Sequence, residues 1–409
     1  MKPAYLTMDD LDVKGKTVLI RLDINSPIDP HTGKILDDKR FRSHADTLKE
    51  LEGARTVVLA HQSRPGKSDF TTMEPHARLL GRIVRQDVTY VDDIFGSRAQ
   101  QSIDKMDVGE LLLLENVRFY SEEKMERSPE EHAGTHLVRN LAPKFDLFIN
   151  DAFGTAHRSH ASSVGFTPVL PSAAGRLMEK EVTTLNKILT SADHPCIFVL
   201  GGTKIENAID VVQHVLSKKI ADKVLVTGVV ANVFLAASGA KVGAPTMQVI
   251  EKQGYLDMIP KAKALLKKFG KKIELPVDVA VSKKGKRVEV NVKELPVKYP
   301  IFDIGLETIT KFYDEIKKAN IVILSGSAGV FEDEKFALGT FETLEAATKA
   351  DFAVIGGGHS GAAMRKVGLD KKVAHMSTGG GACIEFLAGR TLPAIDALNE
   401  SAKRFKSKR

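Results

Sequence analysis

At 409 residues the chain is longer than one ordinary hydrophobic core supports, so two domains are expected. Apolar residues at 43% and charged residues at 27% describe a water-soluble globular protein, and no run of 18 apolar residues suggests a membrane span. The net charge of +7 permits an acidic substrate or nucleic acid, but part of the excess is the tail from Lys403 to Arg409.

With no Trp, no aromatic RNP-like run and no zinc-finger spacing, nucleic-acid binding is the minor reading. Cys196 and Cys383 lie far apart, neither in a CxxC pair, which points to a reducing compartment. The first 20 residues lack a signal-peptide core, so a cytoplasmic location without a membrane partner is expected.

In the first half, short apolar runs alternate with helical patterns. Strands are expected at Thr17–Leu22, Thr56–Ala60, Val88–Val91, Glu110–Leu114 and Leu147–Ile149. Helices are expected at Arg40–Leu51, Met73–Val84 and Pro129–Leu141. Nearly continuous apolar strands alternating with helices indicate an α/β domain with a parallel sheet covered on both faces.

The stretch from Gly175 to Asp193 follows. Leu177, Met178, Val182, Leu185, Ile188 and Leu189 recur at steps of three and four, one face of an amphipathic helix. Prolines 168, 171 and 195 flank it. This helix should join two doubly wound units and act as their hinge. Beyond it, strands are expected at Ile197–Leu200, Val224–Thr227, Ile321–Leu324, Phe352–Ile355 and Val373–Met376. Helices are expected at Glu206–Leu216, Asn232–Ala237, Leu256–Phe269, Leu306–Lys317, Leu344–Lys349, Ser360–Val367 and Cys383–Ala388. The run VAVSKKGKRVEVNV within residues 279–298 alternates about a Lys-Gly turn and reads as a hairpin.

Ligands of open parallel sheets bind beyond the carboxyl ends of the strands. Those ends are distinctive here. In the first half they carry Asp23 and Asn25, His61 and Arg64, Glu115, Asn116 and Arg118, and Asn150 and Asp151. In the second they carry Gly201, Gly202 and Lys204, Ser325-Gly326, Gly356-Gly357-Gly358, and Ser377-Thr378-Gly379. Residues 1–174 hold 13 of the 19 arginines, and residues 175–409 hold 22 of the 32 glycines. One half should therefore grip an anion with side chains, while the other cradles phosphates with backbone N–H groups. Arg21, Arg40, Arg42, Arg64, Arg118 and Arg158 fall at or near the mouth of the first sheet; Arg78, Arg82 and Arg85 read as a solvated helix face.

Gly356 to Gly361 fits GxGxxG, but the acid expected about 20 residues on to hold a ribose is Ser377. A nicotinamide dehydrogenase is thereby the weaker enzymatic reading. Pro65-Gly66-Lys67-Ser68 ends like a Walker A loop, yet His61 stands where its first glycine is required. His132 and His136 share a face of the helix expected there, beside Glu131, without a third metal ligand; His157 and His160 flank Arg158 in a loop. Glycine-rich loops on several strands of one sheet, without a Walker lysine, suggest a kinase outside the P-loop class.

The motifs RLDINSP (21–27), HQSRP (61–65), LLENVRF (113–119), INDAFGTAHRSHASS (149–163), LGGTK (200–204), ELPVD (274–278), SGSAGVFE (325–332), VIGGGHS (354–360) and STGGGA (377–382) resemble, in order and over the whole chain, the phosphoglycerate kinase family. HQSRP, TGVVANVFL and GGGHS are most similar to its archaeal branch. The resemblance implies two Rossmann-like domains. Residues 1–174 would bind phosphoglycerate, 175–193 form the hinge helix and 194–388 bind nucleotide, with 389–409 packing back on the first domain.

The implied reaction, a step of glycolysis and gluconeogenesis, moves a phosphoryl group reversibly between ATP and 3-phosphoglycerate, with Mg2+ carried by the nucleotide. Matched by motif, Asp23, Asn25, Arg40, His61, Arg64, Arg118 and Arg158 would hold phosphoglycerate. Gly201, Gly202, Lys204, Gly228, Gly329, Glu332, Gly357, Gly358, His359 and Ser360 would hold the nucleotide. Arg40 and Lys204 would carry catalysis. The partners expected are small molecules, with a monomer expected and a homodimer as the alternative. The chain departs from the commoner bacterial and eukaryotic pattern at Ala208 (lysine there), Ser327 (proline), His359 (aspartate) and Ser360 (threonine), and the replaced aspartate is the one associated with magnesium.

Overall fold

The computed structural model describes residues 4–190 and 193–406. Residue contacts divide it into two units, one running to Thr183 and resuming at Thr391, the other spanning Thr184–Arg390. The tail residues 407–409, and Ser191 and Ala192 of the expected hinge helix, lie outside the described residues.

The first unit is built on a seven-stranded parallel sheet. Its spatial order is Leu6–Thr7, Ser172–Ala174, Leu147–Asn150, Thr17–Arg21, Arg55–Leu59, Leu111–Leu114 and Val88–Val91. Successive residues point to opposite faces. Val18 and Ile20 accordingly enter one buried cluster with Phe41 and Leu80, while Leu19 enters the other with Phe148 and Phe166. Two cores on one sheet explain why the strands are apolar at every position.

The second unit holds a six-stranded parallel sheet. Its order is Ile273–Glu274, Lys223–Val226, Cys196–Leu200, Ile321–Ser325, Phe352–Gly356 and His375–Met376. Asp278–Lys283 and Lys286–Asn291 form the expected hairpin. Lys284 and Gly285 turn it with φ of 48° and 73°, as a tight hairpin requires. Sequence alone does not reveal its third strand, Ile301–Ile304, which pairs with Asp278–Lys283.

Several expected elements need correction. The helix over Arg40–Leu51 is two short ones, Lys39–Ser43 and Ala45–Lys49, parted at the buried His44. The helix over Pro129–Leu141 breaks at Gly134-Thr135, where Thr135 caps the second piece, His136–Leu141. His132 and His136 therefore share no helical face. His132 is buried with Nε2 2.7 Å from the Ser159 carbonyl, and His136 is exposed. Strands Leu6–Thr7 and Ser172–Ala174 escape notice because they are short and mostly small-sided. Helix Ser97–Asp104 escapes because it buries only Ala99 and Ile103. Helices expected at Asn232, Ser360 and Cys383 begin earlier, at Gly228, Gly358 and Gly380.

The helix Arg176–Thr190 has the expected buried face of Leu177, Met178, Val182, Leu185 and Ile188, with Leu189 half-buried. A further helix, Pro393–Lys406, packs in the first unit against Leu6–Thr7 and Ser172–Ala174. There Arg404 donates to the Pro168 carbonyl at 2.6 Å, and Ala402 joins Leu6 and Ala173 in a small apolar cluster.

Candidate active site

In the first unit, the chain leaving strand Thr17–Arg21 sets the chemistry. Arg21 is fully buried. It donates from Nη1 to the Leu22 carbonyl at 2.6 Å and from Nη2 to Nδ1 of His61 at 2.9 Å. Burial pulls its guanidinium below the ordinary value against the opposing pull of Glu123 and Asp23. Arg21 is thus a fixed interior charge, not the open mouth residue its sequence position suggests.

Asp23 is buried, and its carboxylate pairs with Arg40, whose side chain is about one-third exposed. Burial pushes the Asp23 carboxyl up, but Arg40 and Arg21 outweigh it and leave it below the usual value. Arg42 turns away to Asp38 at 2.7 Å, on its own exposed helix face. Asn25 Oδ1 accepts the Ser63 N–H at 2.8 Å, and Arg118 Nη1 donates to the Ser63 carbonyl. Asp23, Asn25, Arg40, His61 and Arg118 are thereby gathered by three adjacent strand ends. Arg64 and Arg158 are exposed on their turns, Arg158 with Nε 3.3 Å from His157.

The electrostatics are strongly positive. Burial and three arginines, Arg21, Arg118 and Arg40, push the His61 imidazole well below its ordinary value. Burial, with Arg21 and Arg158 nearby, lowers Arg118 to about 10. His160 is pushed to about 3 by burial and by Arg118 and Arg158. Besides Asp23, Glu123 opposes this charge from the interior: fully buried, it accepts from Ser162 N at 2.8 Å and Oγ at 2.7 Å, and burial pushes its carboxyl above the ordinary value. Glu123 carried no signal in the sequence; it lies in a short polar 3-10 turn, Ser121–Lys124.

Other strand-end polar residues serve the scaffold. Glu115 accepts from Thr72 Oγ1 at 2.6 Å and Met73 N at 2.8 Å. Asn116 bridges the loops at Gln62 and Thr71. Asp151 accepts from His44, Thr47, Leu177 and Met178.

In the second unit three strand ends meet backbone to backbone. Gly201 N–H donates to Ser325 O at 2.8 Å, Gly202 N–H to Ser327 O at 2.8 Å and Gly228 N–H to Ala328 O at 3.0 Å. These N–H groups are spent within the protein, so the expectation that the Gly201-Gly202 turn offers them to a phosphate does not hold. What the turn exposes is Lys204, which precedes helix Ile205–Ser217. A Cβ on Gly201 would sit 2.5 Å from Ser327 O. The glycines there serve close approach.

A cavity of about 210 Å³ opens beside this contact. Gly202, Gly228, Gly329, Glu332 and His359 line it with Val279, Phe302, Asp303 and Ile304. Gly329 lies where a Cβ would meet Asp303 Oδ1 at 2.5 Å. Asp303 is pushed to about 6 by burial, despite Arg287 at 2.7 Å. The Gly201, Lys204, Gly357, Gly358 and Ser360 positions do not line this cavity. Ser360 is buried and accepts the Gly326 N–H at 3.0 Å, and Gly357 precedes helix Gly358–Lys366 with φ of 93°. His359 is exposed, its ring 6.4 Å from Phe331. An apolar slot lined by the Glu332 carboxylate suits a base and a ribose, while Lys204 and the glycine-led start of helix Gly358–Lys366, outside its lining, are groups suited to phosphates.

Comparison with known proteins identifies the family. The family model for phosphoglycerate kinase matches residues 8–390. The phosphoglycerate kinase of Methanosarcina mazei is 54% identical over 403 residues, covering 98% of this chain and 97% of its own. That of Methanothermobacter thermautotrophicus is 54% identical over 400 residues, covering 97% of each. The crystal structure of the Pyrococcus horikoshii enzyme superposes with a TM-score of 0.92 at 42% identity, covering 98% of this chain and all of that one. The dehydrogenase and nucleic-acid readings fall away, and this chain belongs to the phosphoglycerate kinase family.

Proposed function

We propose that the chain catalyses reversible phosphoryl transfer between ATP and the carboxylate of 3-phosphoglycerate, yielding ADP and 1,3-bisphosphoglycerate. The observation carrying this reading is the cluster of cations and donors at the first unit's strand ends, where Arg40, Arg118 and the neutral imidazole of His61 gather about Asp23 and Asn25. Its fixed donors suit a small acid bearing a carboxylate, a hydroxyl and a phosphate. Asp23 and Asn25 would take the hydroxyl; His61, Arg64, Arg118 and Arg158 would take the anionic groups.

The accepting carboxylate is ionised at neutral pH, so the reaction requires no general base. Catalysis reduces to positioning and to neutralising the moving charge. Arg40 supplies one cation from the acceptor side and Lys204 another from the nucleotide side. Lys204, Gly357, Gly358 and Ser360 would meet phosphates, while Gly202, Gly228, Gly329 and Glu332 would frame base and ribose. Gly201 acts by letting the turns approach.

Magnesium would be carried in with the nucleotide. His359 stands where the commoner family pattern has an aspartate, and an imidazole is a poor replacement for a hard oxygen ligand. Among the described residues no group of three or more His, Cys, Asp or Glu residues is placed to hold a metal ion. No helix among them is long and apolar enough to cross a membrane.

The test is incubation with Mg-ATP, 3-phosphoglycerate and hydroxylamine. Hydroxamate formed only with both substrates establishes acyl-phosphate chemistry. Folded, ATP-binding protein that forms none rejects the assignment.

A further inference from the structure

His44 occupies a place that neither the motifs nor the mechanism above uses. It is fully buried between Lys39–Ser43 and Ala45–Lys49. Its Nδ1 lies 2.7 Å from Asp151 Oδ2. Its Nε2 lies 3.2 Å from the backbone nitrogen of Asp23. Nε2 also lies 3.3 Å from the Asp23 carbonyl oxygen; a carboxylate only accepts, so the ring proton belongs on Nδ1, and bare Nε2 takes the shorter contact as acceptor of the Asp23 N–H. On one side, then, the ring holds the backbone of the residue that pairs with Arg40.

On the other side it holds Asp151, whose second oxygen accepts the N–H groups of Leu177 at 2.9 Å and Met178 at 3.1 Å. Those are the opening residues of Arg176–Thr190, where helix N–H groups lack intrahelical partners. Thr47 braces the same junction, donating to Asp151 Oδ2 at 2.8 Å and accepting from Arg176 N at 3.0 Å. There is no slack at either end. A Cβ on Gly175 would sit 2.3 Å from Asp151 Oδ1, and one on Gly154 would collide with the Asp23 carboxylate.

We propose that His44 is a positioning residue that couples ligand occupancy at Asp23 and Arg40 to the first turn of the central helix. The proposal rests on reading Asp23 and Arg40 as phosphoglycerate groups. A ligand that engages Asp23 or draws Arg40 from it shifts the Asp23 backbone. The buried imidazole, bonded at both nitrogens, transmits that shift to Asp151 and so to the helix N–H groups. The ring's links to Asp23 and Asp151, and the paired N–H bonds from Asp151 to the helix, are buried, where a hydrogen bond left unmade is costly.

Two substitutions separate the links. His44→Asn places an amide near Nδ1 and keeps the Asp151 contact; His44→Gln places an acceptor near Nε2 and keeps the Asp23 contact. Both should lower kcat on the order of ten-fold, the worth of one buried hydrogen bond, with KM for ATP unchanged. Combined with Asp151→Asn, His44→Asn should lose no more than the worse single variant. Additive losses, or wild-type kcat with only a lowered Tm, overturn the proposal.

If Asp151→Asn does not fold, the wild-type chain still decides. Nitrogen NMR should find the His44 proton on Nδ1 and see its resonance move when 3-phosphoglycerate is added without nucleotide. A proton on Nε2, or an unmoved resonance despite calorimetric binding, rejects the coupling alone. Absence of both phosphoglycerate binding and hydroxamate in the wild type rejects the functional reading, and the coupling with it.

Discussion

The Arg21 guanidinium donates to Nδ1 of His61 across 2.9 Å, and that bond decides which nitrogen of the imidazole carries the proton. Arginine has no acceptor to offer, so Nδ1 is the bare nitrogen and Nε2–H is left to donate. Burial and the arginines around His61 keep the ring neutral at physiological pH. Its contribution to anion binding should therefore be a hydrogen bond and not a titrating charge. The ratio of phosphoglycerate Kd values between His61→Ala and wild type should be on the order of ten-fold and flat from pH 6 to 8. Calorimetry across that range checks it. A ratio that climbs as pH falls toward 6 would show a protonated ring instead.

Arg40→Ala should lower turnover about a thousand-fold, because the moving phosphoryl charge loses a cation. The nucleotide Kd should stay within about two-fold, since Arg40 belongs to the other unit. Steady-state kinetics and nucleotide titration give both numbers. Near-normal turnover would remove Arg40 from the mechanism. Arg42→Ala is the matched control, and its exposed pair with Asp38 should be nearly silent.

Buried histidines give the first unit an acid limit. His76 is pushed to about 4 by burial and His160 to about 3. Their folded values are depressed, so between the unfolded value near 6.5 and those limits the unfolded chain binds more protons. Stability must then rise with pH across that window and fall on acidification from about 6.5 toward 4. Urea unfolding of the first unit at pH 7 and pH 5 should differ by about 4 kcal/mol for His76 and His160 together, about 2 kcal/mol from each. His76→Gln should shrink that difference. An unchanged difference would exclude His76 as a source.

Gly326 has φ of 87° and would place a Cβ 2.1 Å from the Gly201 carbonyl oxygen. Gly326→Ala should destabilise the second unit by about 3 kcal/mol or more. Gly254 has φ of 76° but open space around it, so Gly254→Ala should cost only about 1 kcal/mol. Equal losses in thermal unfolding would mean that the meeting of the three turns is not as tight as their hydrogen bonds indicate.

If the first unit holds phosphoglycerate and the second the nucleotide, as proposed, binding of both substrates should make the whole chain more compact, because the reacting groups must meet. X-ray scattering with neither, one and both ligands tests this. An identical radius of gyration in every state would exclude closure.

The alternation that places strands and helices was plain in the sequence because buried parallel strands are apolar at every residue, as Leu111–Leu114 is. The distinction between residues that face a ligand and residues that hold the scaffold was not plain. Glu115 and Arg118 stand three residues apart after the same strand, yet the first ties down Thr72 and Met73 while the second reaches Ser63. Only tertiary distances separate them. His44 was hidden inside a helical pattern because local periodicity carries no trace of a partner 107 residues away. The glycine turns misled in the other direction. Their spacing looks like a phosphate cradle, but Gly201 and Gly202 spend their N–H groups on a neighbouring strand end.

The helix Pro393–Lys406 belongs to the first unit, whereas the whole of the second unit lies between it and the rest of that fold. On the ribosome this inverts the usual order. Synthesis proceeds from the amino end, and domains generally fold as units as they emerge. Here the domain that begins first is the last to receive all its parts. The strands Leu6–Thr7 and Ser172–Ala174 wait for their covering helix until the later-made unit has been translated in full. A released fragment ending at residue 390 would hold every residue of the second unit and lack the last helix of the first.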